Sequence, residues 1–325
     1  MKTLTEDKNF TFATPVNADV KHYIKKCLYG LSYIPEKIKL NTIKPSKIEN
    51  KKYKVSVCAI FKNEAPYLRE WIEFHKIIGI NHFYLYNNNS TDNYQEILKP
   101  YVDENIVTLI QWPKVHAQME SYDHCIKNYK DETEWIAFID LDEFIVPNST
   151  DTIYDFLKPF QKNRGTVLAY FKMFGSSGLV ERDINSPVTK DFTQCYQKSL
   201  NIGKLFYNTA YNLDFSYPKN DSMHQMYANY NGKTLVPVNC FDKITTMGIN
   251  KINKKYLVNG KYPIQINHYV TKSLNEYKAR LSKGDAFFKL EVKTDLFNQH
   301  DRLSNFTDDS INRFLPELYK RLGSE

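Results

Sequence analysis

The sequence predicts an α/β fold, with a Rossmann-like and mostly parallel sheet flanked by helices, on the strength of three observations. Short and nearly continuous apolar runs, as over residues 55–61, suit a strand buried on both faces. Helical spacing returns between such runs, as in Leu68, Trp71, Ile72, His75 and Ile78. Strand and helix then alternate for about 90 residues at βαβ spacing, which implies parallel pairing.

The first strand breaks at Lys62-Asn-Glu-Ala-Pro66, where Pro66 suits the first turn of a helix that Gly79 ends. His82-Phe-Tyr-Leu-Tyr86 is the second strand, and Asn87-Asn-Asn-Ser-Thr-Asp-Asn93 follows it. There Ser90, Thr91 or Asp92 can cap a helix running to about residue 98. Residues 106–112 read as a third strand, 118–129 as a helix and 134–139 as a fourth strand. Beyond Pro147 the pattern gives a helix at 152–160, a strand at 166–173 and short strands in loops over 175–265. Helical spacing returns at 272–288, and a terminal helix covers 309–322. The expected organisation is a basic N-terminal extension over 1–52 with one short helix at 19–28, a main α/β domain over 53–290 and a C-terminal helical segment over 291–325.

Of the 325 residues, 42% are hydrophobic and 25% charged, as in a soluble globular protein. The 24 Tyr and 20 Phe beside 11 Gly favour sugar-stacking surfaces, although an AT-rich genome gives the same bias. Five scattered cysteines, odd in number and without a Cys-x-x-Cys pair, argue against a disulfide framework or zinc ribbon and fit a reducing cytosol. With no apolar leader and no run long enough to span a bilayer, the expected location is cytoplasmic, peripheral at most on the inner face of a membrane. Charge is uneven: residues 1–54 hold twelve lysines against five acids, a net +7 equal to that of the whole chain. That segment suits anionic lipid or an anionic glycan, or is a solubilising extension; no nucleic-acid motif accompanies it.

The strongest chemical signal is Phe138-Ile-Asp-Leu-Asp-Glu-Phe144, acids crowded directly after an apolar strand. Ligands of open α/β sheets bind beyond the carboxyl ends of strands. Hard oxygen donors there suit Mg²⁺ or Mn²⁺, which bridge diphosphates. A phosphatase using Asp-x-Asp wants Thr or Val where Phe144 stands, so that reading is set aside. Lys62-Asn63-Glu64 and the string Asn87 to Asp92 would lie side by side at the same edge, offering amides that can read a uracil edge and a ribose diol. The alternative is that Asn-rich turns are simply turns.

Three stretches together, Cys58-Ala-Ile-Phe-Lys-Asn-Glu-Ala-Pro-Tyr-Leu-Arg-Glu-Trp-Ile-Glu-Phe-His75, Phe83-Tyr-Leu-Tyr-Asn-Asn-Asn-Ser-Thr-Asp-Asn93 and Phe138 to Phe144, closely resemble the family 92 glycosyltransferases and their family 2-like relatives. Later pieces fit in order, among them Phe174-Gly-Ser-Ser-Gly178, His224 and Ile266-Asn-His-Tyr269. The resemblance implies a GT-A nucleotide-diphospho-sugar transferase fold, a nucleotide-sugar donor (UDP-linked above all), Mn²⁺ or Mg²⁺, and inversion at the anomeric carbon. It implies metal ligation by Asp140 and Asp142, the latter more directly, with His268 as third ligand or else a core histidine. Donor contacts are expected at Phe61, Asn63, Glu64, Asn87, Asn88, Asp92, Gln118, Leu141, Lys272 and Lys283, with Arg280 on the same helical face. Gly175, Ser176 and His224 are the acceptor-side candidates, although Gly178-Leu179 departs from the Gly-His of many relatives. Asp221 is the candidate general base, with Glu181, Asp183, Asp191 and Asp214 open. The expected acceptor is a glycan or glycolipid in bacterial surface polysaccharide or lipopolysaccharide synthesis. The rivals are a sugar nucleotidyltransferase, which would want a Gly-rich loop after the first strand, and a non-catalytic carbohydrate-binding protein on the same fold.

Overall fold

The computed structural model describes residues 4–7, 10–13, 20–45, 49–115, 117–200, 202–214, 224, 226–245, 262–283 and 294–323. An N-terminal hairpin pairs β1 (Leu4–Asp7) with β2 (Phe10–Ala13), and α1 (Val20–Thr42) follows. That helix is much longer than the short one expected, because Gly30 and Pro35 read as breakers and yet both lie inside it.

The expected strand–helix alternation then appears in order: β3 (Tyr53–Phe61), α2 (Ala65–Ile77), β4 (His82–Asn87), α3 (Tyr94–Asp103), β5 (Val107–Gln111), α4 (Gln118–Tyr129) and β6 (Thr133–Phe138). β3 pairs parallel with β4 and with β6, and β4 pairs parallel with β5. β4 and β6 are buried along their whole length, as their apolar runs require. The chain winds outward from β3 to β5 and then returns to the other side of β3. The sheet's switch point therefore lies between β3 and β6, where open sheets of this kind bind ligands.

Beyond β6 come β7 (Glu143–Pro147), β8 (Thr166–Met173), β9 (Gln194–Cys195), β10 (Gly203–Asn208), the meander β11 (Asn212–Asp214), β12 (Tyr227–Tyr230) and β13 (Lys233–Leu235), then β14 (Val238–Asn239), β15 (Ile264–His268) and β16 (Phe306–Thr307). The large sheet runs β5-β4-β3-β6-β10-β8-β15-β7, with β14 against β8. β10 lies antiparallel to both β6 and β8, and β15 is inserted between β7 and β8. At Gly203 a Cβ would stand 1.7 Å from the Ala169 carbonyl oxygen, so only glycine allows β10 this approach to β8.

The C-terminal segment is a layer of the main body rather than an appendage. The helix Leu315–Leu322 packs on α2, Phe314 meets Phe74 at 5.9 Å between ring centroids, and Arg321 Nη1 is 3.3 Å from Glu73. Among the described residues no helix is long and apolar enough to cross a membrane.

Candidate active site

The site begins with a turn. After β6 the chain reverses tightly, the Glu143 amide donating to the Asp140 carbonyl at 3.1 Å, and Leu141 buries its side chain in the core. α2 holds the departing strand: Trp71 Nε1 donates to the Glu143 carbonyl at 2.8 Å, and the Ile145 amide donates to His75 Nε2 at 3.2 Å. His75 therefore carries its proton on Nδ1, which donates to the Trp71 carbonyl at 2.8 Å. Burial drives its pKa down to about 3, so it stays a neutral strut.

Two further strands bring Lys204 and His268 to the turn. β10 runs against β6, so its second residue, Lys204, arrives at the acids, 2.8 Å from Asp140 Oδ2 and 3.4 Å from Glu143 Oε2. β15 ends at His268, the register partner of Glu143, and the Tyr269 amide donates to the Asp142 carbonyl at 2.8 Å. His268 Nε2 stands 3.5 Å from Asp142 Oδ2 and 3.9 Å from Glu143 Oε1. From the helix Leu274–Lys283, Arg280 Nη1 donates to Asp142 Oδ2 at 3.2 Å and to the Val270 carbonyl at 2.7 Å.

These neighbours set the electrostatics. Burial alone would raise the Asp142 carboxyl, but His268 and Arg280 outweigh it and hold it well below the usual carboxylate range, with Lys272 adding to them. Burial pushes Glu143 well up against the pull of Lys204, and Asp140 and Asp142 add to the rise. For Lys204 burial acts downward, but Asp140 and Glu143 reverse it and raise the ammonium above its ordinary value.

Asp142, Glu143 and His268 each offer a ligand atom, all within 4.8 Å of one another. Glu143 Oε1 is buried with no hydrogen-bond partner, in a fold that pairs most buried polar atoms, and so is His268 Nδ1, the ring nitrogen other than the one beside the acids. Hard carboxylate oxygens with an imidazole nitrogen suit Mn²⁺ or Mg²⁺. The residues present fit a divalent cation. The grouping differs from the sequence expectation in one respect: Asp140 is engaged by Lys204 and by Gln118 Nε2 at 2.9 Å, and Glu143 takes its place. Glu143 lies in the quoted motif, and a lysine interrupting the apolar run of β10 was the available signal for Lys204.

The neighbouring loops after β3 and β4 are stitched together. The Asn63 amide donates to Ser90 Oγ at 2.9 Å, the Thr91 amide to Asn63 Oδ1 at 2.7 Å and the Ala65 amide to Asp92 Oδ2 at 2.8 Å. Asn63 and Asn89 adopt φ of 54° and 55°, which asparagine tolerates. The expected amide readers of a base are placed as follows. Asn87 is buried, donates to Tyr94 OH and Gln111 Oε1, and accepts from the Ser90 amide. Asn88 Nδ2 donates to the carbonyls of Trp112 and Lys114. Both amides serve the turn itself, whose backbone groups would otherwise lack partners. Phe61 is likewise structural: its ring packs on Tyr94 and its carbonyl accepts from the Asn88 amide. Glu64 stands at the N-cap of α2, and Asp92 Oδ1 is buried without a partner. Lys272, at φ 51°, places Nζ 4.1 Å over the Tyr67 ring, while the Lys283 side chain lies outside the described residues.

On the acceptor side, Gly175 and Ser176 meet the C-terminal segment. Ser176 Oγ donates to Asp301 Oδ1 at 2.5 Å, and a Cβ on Gly175 would meet Ser304 at 2.6 Å, so both dock the helix Thr294–Leu303 and the residue after it. His224 does reach the site: its Nδ1 donates to the Gly203 carbonyl at 2.8 Å, and its ring lies against Phe171, which also packs on His268. Burial, then Lys204, lowers its pKa. Asp221 and the side chain of Asp214 lie outside the described residues. Glu181 is exposed, Asp183 accepts from Asn185, and Asp191 accepts from Arg182 and Ser186 within one loop.

The family model of glycosyltransferase family 92 matches residues 51–317. A family 92 protein of Oryza sativa subsp. japonica is 34% identical over 131 residues, covering 39% of this chain and 22% of that one. Another, from Arabidopsis thaliana, is 37% identical over 118 residues, 36% of this chain and 19% of that one. A Caenorhabditis elegans protein named a beta-1,4-galactosyltransferase is 31% identical over 109 residues, 29% of this chain and 26% of that one. The matches thus span about a fifth to a quarter of those relatives' length. Among solved structures, Staphylococcus aureus TarS 1–349 with UDP-GlcNAc aligns over 82% of this chain and 72% of that one, at 14% identity and a TM-score of 0.40.

Proposed function

The chain belongs to glycosyltransferase family 92, and from that premise we propose that it moves a sugar from a UDP-sugar donor to a hydroxyl of a glycan or glycolipid, with inversion, at the turn after β6. The observation that carries this reading is the convergence of Asp142, Glu143 and His268 at the sheet's switch point, with Glu143 Oε1 buried and without a hydrogen-bond partner.

These three residues would hold a divalent cation. When bound, it supplies the positive charge that neutralises the leaving diphosphate. The chain's own residues act around it. Lys204 and Gln118 fix Asp140 beside the switch point, where it can receive the donor's ribose. Arg280 and Lys272 add positive charge on the Asp142 side, where the diphosphate departs. The stitched loops carrying Asn63 and Asp92 shape the nucleoside's place, and Trp71 with His75 keeps Glu143 at a fixed height. An inverting transfer also needs a carboxylate to take the acceptor's proton; Asp221, in the segment leading to His224, remains the candidate.

The test is a donor panel with Mn²⁺: UDP-galactose first, given the name of the worm relative, then UDP-glucose, the two UDP-N-acetylhexosamines and GDP-sugars. The expected result is metal-dependent release of a nucleoside diphosphate from one donor. Formation of a nucleotide-sugar and pyrophosphate from a nucleoside triphosphate and a sugar 1-phosphate would instead identify a nucleotidyltransferase. Donor binding with no turnover under any metal or acceptor would leave a carbohydrate-binding protein.

A further inference from the structure

The side of α1 that faces away from the sheet carries an apolar row. Val20, Ile24, Leu28, Leu31, Ile34 and Ile38 recur every three or four residues and are 55% to 73% exposed. At about 100° per residue they form one stripe along the helix. The opposite side is the docked one: Leu40 is buried, Tyr33 packs on the core, and Arg164 Nη1 donates to the Leu40 carbonyl at 3.1 Å. Over residues 33–40 the core therefore accounts for one face of α1 and leaves the other unexplained. Scattered apolar residues on a surface need no reason, but a continuous stripe does.

Charge identifies what covers it. α1 contains Lys21, Lys25, Lys26, Lys37 and Lys39 against Glu36, within a segment whose net +7 equals that of the whole chain. A second copy of the chain would set +7 against +7. A soluble anionic glycan would satisfy the lysines and leave the isoleucines in water. A bilayer with anionic headgroups satisfies both, the apolar row entering the headgroup–acyl boundary and the ammonium groups meeting phosphate. We propose that α1 lies flat in the surface of an anionic membrane and holds the sheet beside it. The donor chemistry of the site is independent of this contact.

Cys27 gives the probe, since it lies in the same stretch of α1 and is the exposed one of the five cysteines. The full chain, labelled there with an environment-sensitive fluorophore, is mixed with vesicles of phosphatidylcholine alone or with about a third phosphatidylglycerol. The expected result is a blue shift and co-sedimentation with the anionic vesicles only, weakened by raising salt toward about 1 M. The double variant Leu31→Glu/Ile34→Glu should bind at least about tenfold more weakly, with an unchanged melting temperature and unchanged donor turnover. Failure to bind anionic vesicles, or equal binding by the double variant, would overturn the proposal. So would a blue shift that grows with protein concentration without vesicles and is abolished in the double variant, which would mark a self-association face.

Discussion

Two turns at the same edge of the sheet, one after β4 and one after β6, look alike in sequence: each is a polar string closing a buried strand. In the structure they behave oppositely. The turn after β4 consumes most of its own polarity, with the Asn87 amide engaged on both its oxygen and its nitrogen and the Asn88 nitrogen bound to two carbonyls, and leaves Asp92 Oδ1 over. The turn after β6 borrows its partners from strands far along the chain and still leaves Glu143 Oε1 and His268 Nδ1 over. A ligand site is marked by polar atoms that remain after the backbone has been satisfied, not by polar residues as such.

That contrast can be broken, most forcefully at Asp142. Asp142→Ala should cut transfer on the order of a thousandfold while the metal-free protein melts as before; near wild-type turnover after chelation would remove the acid turn from the chemistry. Next come Glu143→Gln and His268→Ala, each expected to raise the Mn²⁺ concentration for half-maximal turnover by roughly tenfold to a hundredfold. An unchanged metal requirement in the Glu143 variant would return Asp140 to the ligand set. Asn87→Ala should do the reverse, leaving the metal requirement alone and costing about 2 kcal/mol of stability in denaturant unfolding, because it strands buried partners. A loss of donor affinity larger than the loss of stability would show that the amide does read the nucleotide. The smallest effect is expected from Ser90→Ala, about 1 kcal/mol for one stitch between the two loops.

The same contrast explains what could be read from the sequence. The strands from β3 to β6, and β8, were legible because each is a local apolar run with a local punctuation, and the acids of the turn stand consecutively. Thr166–Met173 appeared with the bounds its β-rich run indicated. The second half of the sheet was not legible. Nothing near Lys204 in sequence says that its strand will lie beside β6, and the pairing that brings it to Asp140 joins positions 64 residues apart. The partners of the Asn-rich loop were hidden for a related reason: its residue types were plain, but the groups they bind appear only once β5 is in place to present Gln111 and the turn after it. The docking of Gly175 and Ser176 on Ser304 and Asp301 was hidden as well, because those partners lie at the far end of the chain.

The insertion of β15 between β7 and β8 carries a consequence for how the protein is born. On a ribosome the acids at 140–143 emerge more than 120 residues before their histidine, and until residues 264–268 arrive the facing edges of β7 and β8 have no strand between them. A nascent chain can therefore form β3 to β6 early, while the acids still lack their histidine. The strand that closes the sheet is also the one that completes the centre.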